Sequence, residues 1–170
     1  FKGISGVFQK YQRYKMTLKE NVAISDTTIE EDSNKIRRVL EEAGFEKENI
    51  GLEDMLSPEY GGVDLSGGQW QRVAIARGLY RVNGLIVLDE PTSAIDPIEE
   101  TKIYKQFAHL AEGKCALVVT HRIGSAKLAD RIIVMDAGRV VDAGTHDELI
   151  ARPGQYAKMW AAHAQWYERG

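Results

Sequence analysis

The sequence predicts an α/β domain with a mostly parallel sheet, and three observations carry that prediction. Leu85–Leu88 is a short, wholly apolar run with none of the polar alternation of a strand that faces water on one side. Cys115–Thr120 is a second run of the same kind, reached through a stretch with helical spacing. The first run closes on two adjacent carboxylates, Asp89 and Glu90, and is stopped by Pro91. Carboxylates just past the C-terminal end of a buried parallel strand stand where open α/β sheets bind ligands.

The rest of the chain is arranged around Leu65–Asp96. Ser66 precedes two glycines, Gly67 and Gly68, which allow close approach of the backbone to a ligand. The helix expected after them, from about Gln69 to Arg81, offers unpaired N–H groups to an anion at its start. Its Trp70, Val73, Ala74 and Arg77 recur every three to four residues, which predicts a packed face. Asn83-Gly84 turns the chain into the Leu85 strand. A phosphate site and a metal or water site joined by one helix point to nucleotide chemistry.

The flanking elements follow in order. Val7-Phe8 closes a strand, and Gln9 leaves it. Lys10–Lys19 mixes Lys10, Arg13, Lys15 and Lys19 with Tyr11 and Tyr14, a pattern that fits a solvated face with the tyrosines packed inward better than a nucleic-acid surface. From Asn21 to Val63 the pattern is helical. Thr28 and Glu31 have capping-box spacing, Ile36, Val39 and Leu40 form one stripe, and Gly44 ends the helix. A second short helix is expected over Lys47–Leu56, then a loop around Pro58 and Gly61-Gly62. Asp96 and Pro97 are a helix N-cap and first position, opening Ile98–Ala111 with Ile103, Phe107 and Leu110 inward. Arg131–Met135 and Arg139–Ala143 form a hairpin around Asp136-Ala137-Gly138. Thr145 and Glu148 cap another short helix, and Pro153–Glu168 forms an amphipathic terminal helix with Trp160 and Trp166.

Composition narrows the classes. The 170 residues can bury a real core, and 44% apolar and 28% charged residues are ordinary for a globular domain. A net charge of −3 gives no electrostatic reason to expect nucleic acid as a partner. No apolar run approaches the length of a membrane helix. The single cysteine, Cys115, excludes an internal disulfide and reads as a small buried hydrophobe.

The motif LSGGQ, followed at a fixed spacing by LIVLDEPTSAID and then by a histidine after the next strand, resembles the ATP-binding cassette (ABC) ATPases from Val7 to about Ile150. The resemblance implies a P-loop NTPase (RecA-like) core with an α-helical signature subdomain, binding ATP and Mg²⁺. It divides the chain into a Gln9 loop segment (1–16), a helical subdomain with the signature helix (17–81) and the remaining core (82–170). Asp89 is then the residue that holds Mg²⁺ and Glu90 the one that deprotonates the attacking water. Gln9 approaches Mg²⁺ and that water. His121 is the switch histidine that hydrogen-bonds the γ-phosphate, and Ser93 and Asp96 belong to the D-loop, where Ile95 replaces the common leucine. His109, His146 and His163 keep ordinary structural readings.

In proteins of this kind two cassettes sit head to tail. Ser66, Gly67, Gly68 and Gln69 of one then close over ATP held by the other, so the partners implied are a second ABC ATPase domain and a transmembrane domain. The resemblance also offers Lys10–Lys19 as a docking surface for that transmembrane partner, with nucleic acid the least favoured reading. The segment Ser57–Asp64, SPEYGGVD, departs from the Val-Gly-Glu element usual before the signature, and Lys10 stands where an acidic or amide residue is common.

No G-x-x-x-x-G-K-[ST] occurs, and its nearest approach, Gly113-Lys114-Cys115, lacks the first glycine and the hydroxyl. The expectation is therefore a cassette lacking its first strands and phosphate loop, inactive in isolation, with an exposed sheet edge as an association site. In the intact protein it is an ATPase at the cytoplasmic face of a membrane, driving export. The helical subdomain's length and GTHDEL after the hairpin favour an exporter. A non-catalytic module that completes a partner's ATP site is the alternative. DNA-repair and chromosome-structure ATPases share the motifs but need coiled-coil heptads for which 21–63 has no room.

Overall fold

A computed structural model describes the chain except residues 1–2, 47–48, 82–83, 91–103, 106–107, 109–112 and 168–170, and except the side chains of 164–167. It forms two compact units, Phe1–Val119 and Thr120–Gly170.

The sheet of the first unit is parallel, as expected. Strands β1 (Ile4–Val7), β2 (Leu85–Asp89) and β3 (Cys115–Val119) lie in the order β1-β2-β3, with Val7 opposite Leu88 and Asp89 opposite Val119. Ile86 and Leu88 are buried and Leu85 and Val87 half-buried, which accounts for the absence of polar alternation in β2. The expectation of a buried third strand is corrected. Among the described strands β3 has one neighbour, and only Val118 packs against the core, leaving Leu117 and Val119 about half exposed. Cys115 is an exposed thiol, not a core residue.

The helices of this unit are α1 (Leu18–Ala23), α2 (Ser33–Glu42) and α3 (Gly67–Tyr80). Two local expectations between them fail for identifiable reasons. Thr28 caps no helix, because its N–H and hydroxyl donate to Asp26 Oδ1 at 3.2 and 2.6 Å, and Asp32 caps α2 by accepting from the N–H groups of Asn34 and Lys35. The capping box lies earlier, where Thr17 and Glu20 satisfy each other's backbone N–H groups at the start of α1. The helix expected near 47–56 is also absent from its described part. Residues 49–56 form turns and a bridge, Thr17 opposite Met55. Their carbonyls are taken by another segment, since Leu18 and Lys19 donate to Asp54 and Leu52 at 3.0 and 2.9 Å. A single 3₁₀ turn, Pro58–Tyr60, sits in the predicted loop.

The α2 stripe is as predicted, with Ile36, Val39 and Leu40 buried, and Gly44 follows the helix end at φ +68°, a conformation that favours glycine. Helix α3 begins at Gly67, two residues before the expected start, and buries Trp70, Val73, Ala74, Ile75, Ala76 and Tyr80. It packs on β1 so closely at Gly78 that an added Cβ would lie 2.6 Å from Val7 Cγ2. At Gly62 an added Cβ would lie 2.0 Å from the Met55 carbonyl oxygen, which is backbone and accepts the Val63 N–H. Gly62→Ala is therefore expected to destabilise the first unit by about 1–3 kcal/mol, read from a urea titration. An unchanged midpoint would mean that 55–63 shifts freely.

The second unit comprises α4 (Ile123–Ala126), a hairpin of β4 (Ile132–Asp136) and β5 (Arg139–Gly144), α5 (His146–Ile150) and α6 (Gln155–Tyr167). Asp136 pairs with Arg139, so the turn is two residues, Ala137 and Gly138, both at positive φ as a tight hairpin requires. Thr145 and Glu148 form the predicted capping box. Ile123, Ile132, Val134, Leu149 and Tyr156 make the core, with Trp160 packed against it. His146 Nδ1 lies 2.8 Å from the Tyr156 hydroxyl, a structural role as expected. Among the described residues no helix is long and apolar enough to cross a membrane.

Candidate nucleotide site

The carboxylates stand where the sequence put them. Asp89 is the last residue of β2, half-buried, and Glu90 leaves the strand at φ +47° with its N–H donating to the Val119 carbonyl at 2.9 Å. A non-glycine residue in the left-handed region costs free energy and persists only where its surroundings hold it. Here the sheet bond to β3 does so, and it fixes where the Glu90 side chain starts. Gln9, exposed, follows β1 by two residues. Because Val7 pairs with Leu88, Gln9 and the two carboxylates issue from the same C-terminal edge of adjacent strands. One carboxylate and one amide oxygen suit a hard divalent cation that takes its remaining ligands from phosphate and water.

The signature residues lie at the opposite end of α3 from its β1 contact. Ser66 is the N-cap, accepting from Gln69 N–H at 3.3 Å, while Gln69 Oε1 accepts the Ser66 N–H at 2.9 Å. Both side chains thus build the helix start. Gly67 and Gly68 have ordinary negative φ, and outside their own helix and chain neighbours no described atom lies within 4 Å of a Cβ built on either. Neither backbone conformation nor intrachain packing requires glycine there. What the glycines leave is an open approach to the helix's free N–H groups. Gly67 and Gly78 are eleven positions apart on α3, roughly 16 Å along the axis at the usual helical rise. The fold therefore keeps the glycines well away from the turn of α3 that packs on β1.

Residues after Gln9 connect to both ends of this helix, a feature sequence reasoning missed. The Tyr11 hydroxyl donates to the Gly67 carbonyl at 2.8 Å. Arg77 donates from Nη1 to the Gln12 carbonyl at 3.2 Å, from Nε to the Asn21 carbonyl at 2.8 Å and from Nη2 to Asn21 Oδ1 at 3.2 Å. Its guanidinium also lies 4.8 Å from the centre of the Tyr14 ring. Burial lowers the Arg77 pKa from its ordinary value, opposed by Tyr14. Asn21 is fully buried and donates its amide to the carbonyls of Tyr14, Met16 and Thr17. The tyrosines of the basic stretch do pack inward, Tyr11 against the core and Tyr14 against Arg77. Contacts between residues 56 positions apart leave no periodic signal.

His121 lies two residues past β3, exposed, in the second unit. Ser93 and Asp96, with the predicted helix Ile98–Ala111 apart from helical Tyr104, Lys105 and Ala108, lie outside the described residues.

Comparison with known proteins identifies the family. The family model described as ABC transporter matches residues 2–93. The chain is 41% identical over 163 residues to the subtilin transport ATP-binding protein SpaT of Bacillus subtilis, covering 92% of this chain and 26% of that protein. It is 38% identical over 160 residues to the ATP-dependent lipid A-core flippase of Paraburkholderia xenovorans, covering 92% and 26%. Its structure is similar to that of a bacterial Atm1-family ABC exporter with ATP bound, at a TM-score of 0.82 and 28% identity over 96% of this chain and 28% of that one. The chain thus spans about a quarter of the length of these relatives. With the signature glycines, the carboxylate-ended strand and a family match over more than half its length, the chain belongs to the ABC transporter family.

Proposed function

We propose that this chain belongs to an ATP-hydrolysing domain that powers export by a membrane transporter. The observation that carries the reading is the emergence of Gln9, Asp89 and Glu90 from one edge of adjacent parallel strands. Similarity to a subtilin transport protein, a lipid A-core flippase and an Atm1-family exporter supports the exporter class.

Asp89, with Gln9, holds Mg²⁺, which when bound offsets charge on the phosphate oxygens. Glu90 orients a water and accepts its proton as the water oxygen attacks the γ-phosphorus, while the bond to the β–γ bridging oxygen breaks and ADP leaves. His121 donates to a γ-phosphate oxygen, and Ser93 and Asp96 of the D-loop border the site. The open N-terminus of α3, with Ser66, Gly67, Gly68 and Gln69, receives ATP held by a second cassette, so the working form is a pair of cassettes. Residues 1–16 serve as the Gln9 segment, 17–81 as the helical subdomain and 82–170 as the remaining core. A transmembrane domain at the cytoplasmic face of the membrane is the other partner.

These 170 residues contain no G-x-x-x-x-G-K-[ST], so alone they lack the backbone cradle and lysine for the β- and γ-phosphates. Titration calorimetry of this stretch with MgATP is expected to give no measurable heat at micromolar concentrations. Binding with a Kd on the order of 1 μM, about −8 kcal/mol, would mean that other residues hold the phosphates and would overturn this division of labour.

A further inference from the structure

Between Gln9 and α1 the chain runs as a strap alongside the signature helix. Leu56 N–H donates to the Met16 carbonyl at 2.9 Å, Lys15 pairs with Glu59, and Arg77 holds the Gln12 carbonyl. Most of these bonds join the strap to the body of the helical region. One does not: the Tyr11 hydroxyl reaches the carbonyl of Gly67, the first residue of α3, at 2.8 Å. Tyr11 is two residues from Gln9 in sequence and one hydrogen bond from the signature. Its ring is anchored by packing against the core, so the hydroxyl is aimed by a rigid body. Gly67 has no side chain, and outside its own helix and chain neighbours no described atom lies within 4 Å of its Cβ position, so the Tyr11 hydroxyl is a contact to this residue from outside the helix.

We propose that Tyr11 is a positioning residue that ties the Gln9 loop to the signature, so that engagement of ATP at Ser66–Gln69 depends on the conformation of the Gln9 loop. The inference rests on the in-trans reading given above. In that reading the signature N–H groups bind the nucleotide of the second cassette, while Gln9 senses the nucleotide of its own. A bond between Tyr11 and Gly67 then makes occupancy of one site felt at the other. Losing a bond to the Gly67 carbonyl frees the peptide groups that must meet the phosphate, and the effect falls on nucleotide affinity, not on the chemical step.

Tyr11→Phe in the intact transporter isolates the hydroxyl, because the ring and its packing remain. Steady-state phosphate release is measured against MgATP for the wild type, Y11F, Y14F and Glu90→Gln, with thermal melts of each. The expected result is a KM for MgATP raised about three- to tenfold in Y11F, with kcat within twofold and an unchanged melt. Tyr14 supplies its ring to Arg77, so Y14F is expected to leave KM unchanged. The proposal is overturned by an unchanged KM in Y11F, by an equal rise in Y14F, or by a joint fall of kcat and melting temperature in Y11F. If the wild type turns over, Glu90→Gln is inactive and Y11F behaves as wild type, only the Tyr11 proposal fails. A wild type without turnover overturns this proposal together with the ATPase reading.

Discussion

Glu90→Gln in the intact protein is expected to lower kcat for ATP hydrolysis by at least about 100-fold, the ordinary contribution of a positioned general base. Melting temperature and MgATP affinity should stay near the wild-type values. Glu90 sits at φ +47° and its N–H is held by the Val119 carbonyl, and neither feature distinguishes a carboxylate from an amide. Gln keeps the size and reach of the side chain and loses the capacity to accept the proton of water. A variant retaining turnover within about threefold would remove Glu90 from the chemistry and leave the non-catalytic module as the better reading.

The second large effect is structural. Arg77→Ala removes three hydrogen bonds that join α3 to the Gln9 strap and to α1, and leaves the buried Asn21 Oδ1 without its donor. Among the described residues no carboxylate pairs with Arg77, so the loss is of carbonyl and amide partners and of the Tyr14 ring contact. Bonds from a charged donor are worth more than neutral ones, and an orphaned buried acceptor carries a penalty of its own. A destabilisation of about 3–5 kcal/mol is expected from urea unfolding. Arg77→Lys should recover less than half of it, because a single ammonium cannot reproduce the guanidinium fork. A loss below about 1 kcal/mol for Arg77→Ala would show that the strap is held by its other contacts.

Much of this could be read in the sequence because the signals are local. The apolar run Leu85–Leu88, the turn at Ala137-Gly138 and the Thr145–Glu148 box each act within a few residues, and each forms as expected. The failures share a cause. Thr28 and Glu31 have the right spacing, but Asp26, two residues away, is a charged acceptor and captures Thr28. The segment near 49–56 has helical composition, but its carbonyls bond to 18–19, a pairing across more than thirty residues. Cys115–Val119 is apolar enough for a core strand, yet its exposure depends on which neighbours flank it, and strand order is not local. At the candidate site the residue types were legible, whereas the Tyr11–Gly67 and Arg77–Asn21 bonds, each 56 positions apart, were not.

Gly68→Asp in the intact protein tests most directly whether the open start of α3 receives phosphate from a second cassette, as proposed. Outside its own helix and chain neighbours no described atom lies within 4 Å of a Cβ at position 68, and the residue occupies the first turn of a helix. A carboxylate there suits the helix dipole and replaces a poor helix former, so the fold should be as stable as the wild type or slightly more so. The same carboxylate repels phosphate. The expected result is an unchanged or raised melting temperature together with ATP turnover lowered at least about 100-fold, from lost phosphate contacts in a desolvated site. Full turnover in a stably folded Gly68→Asp protein would contradict it.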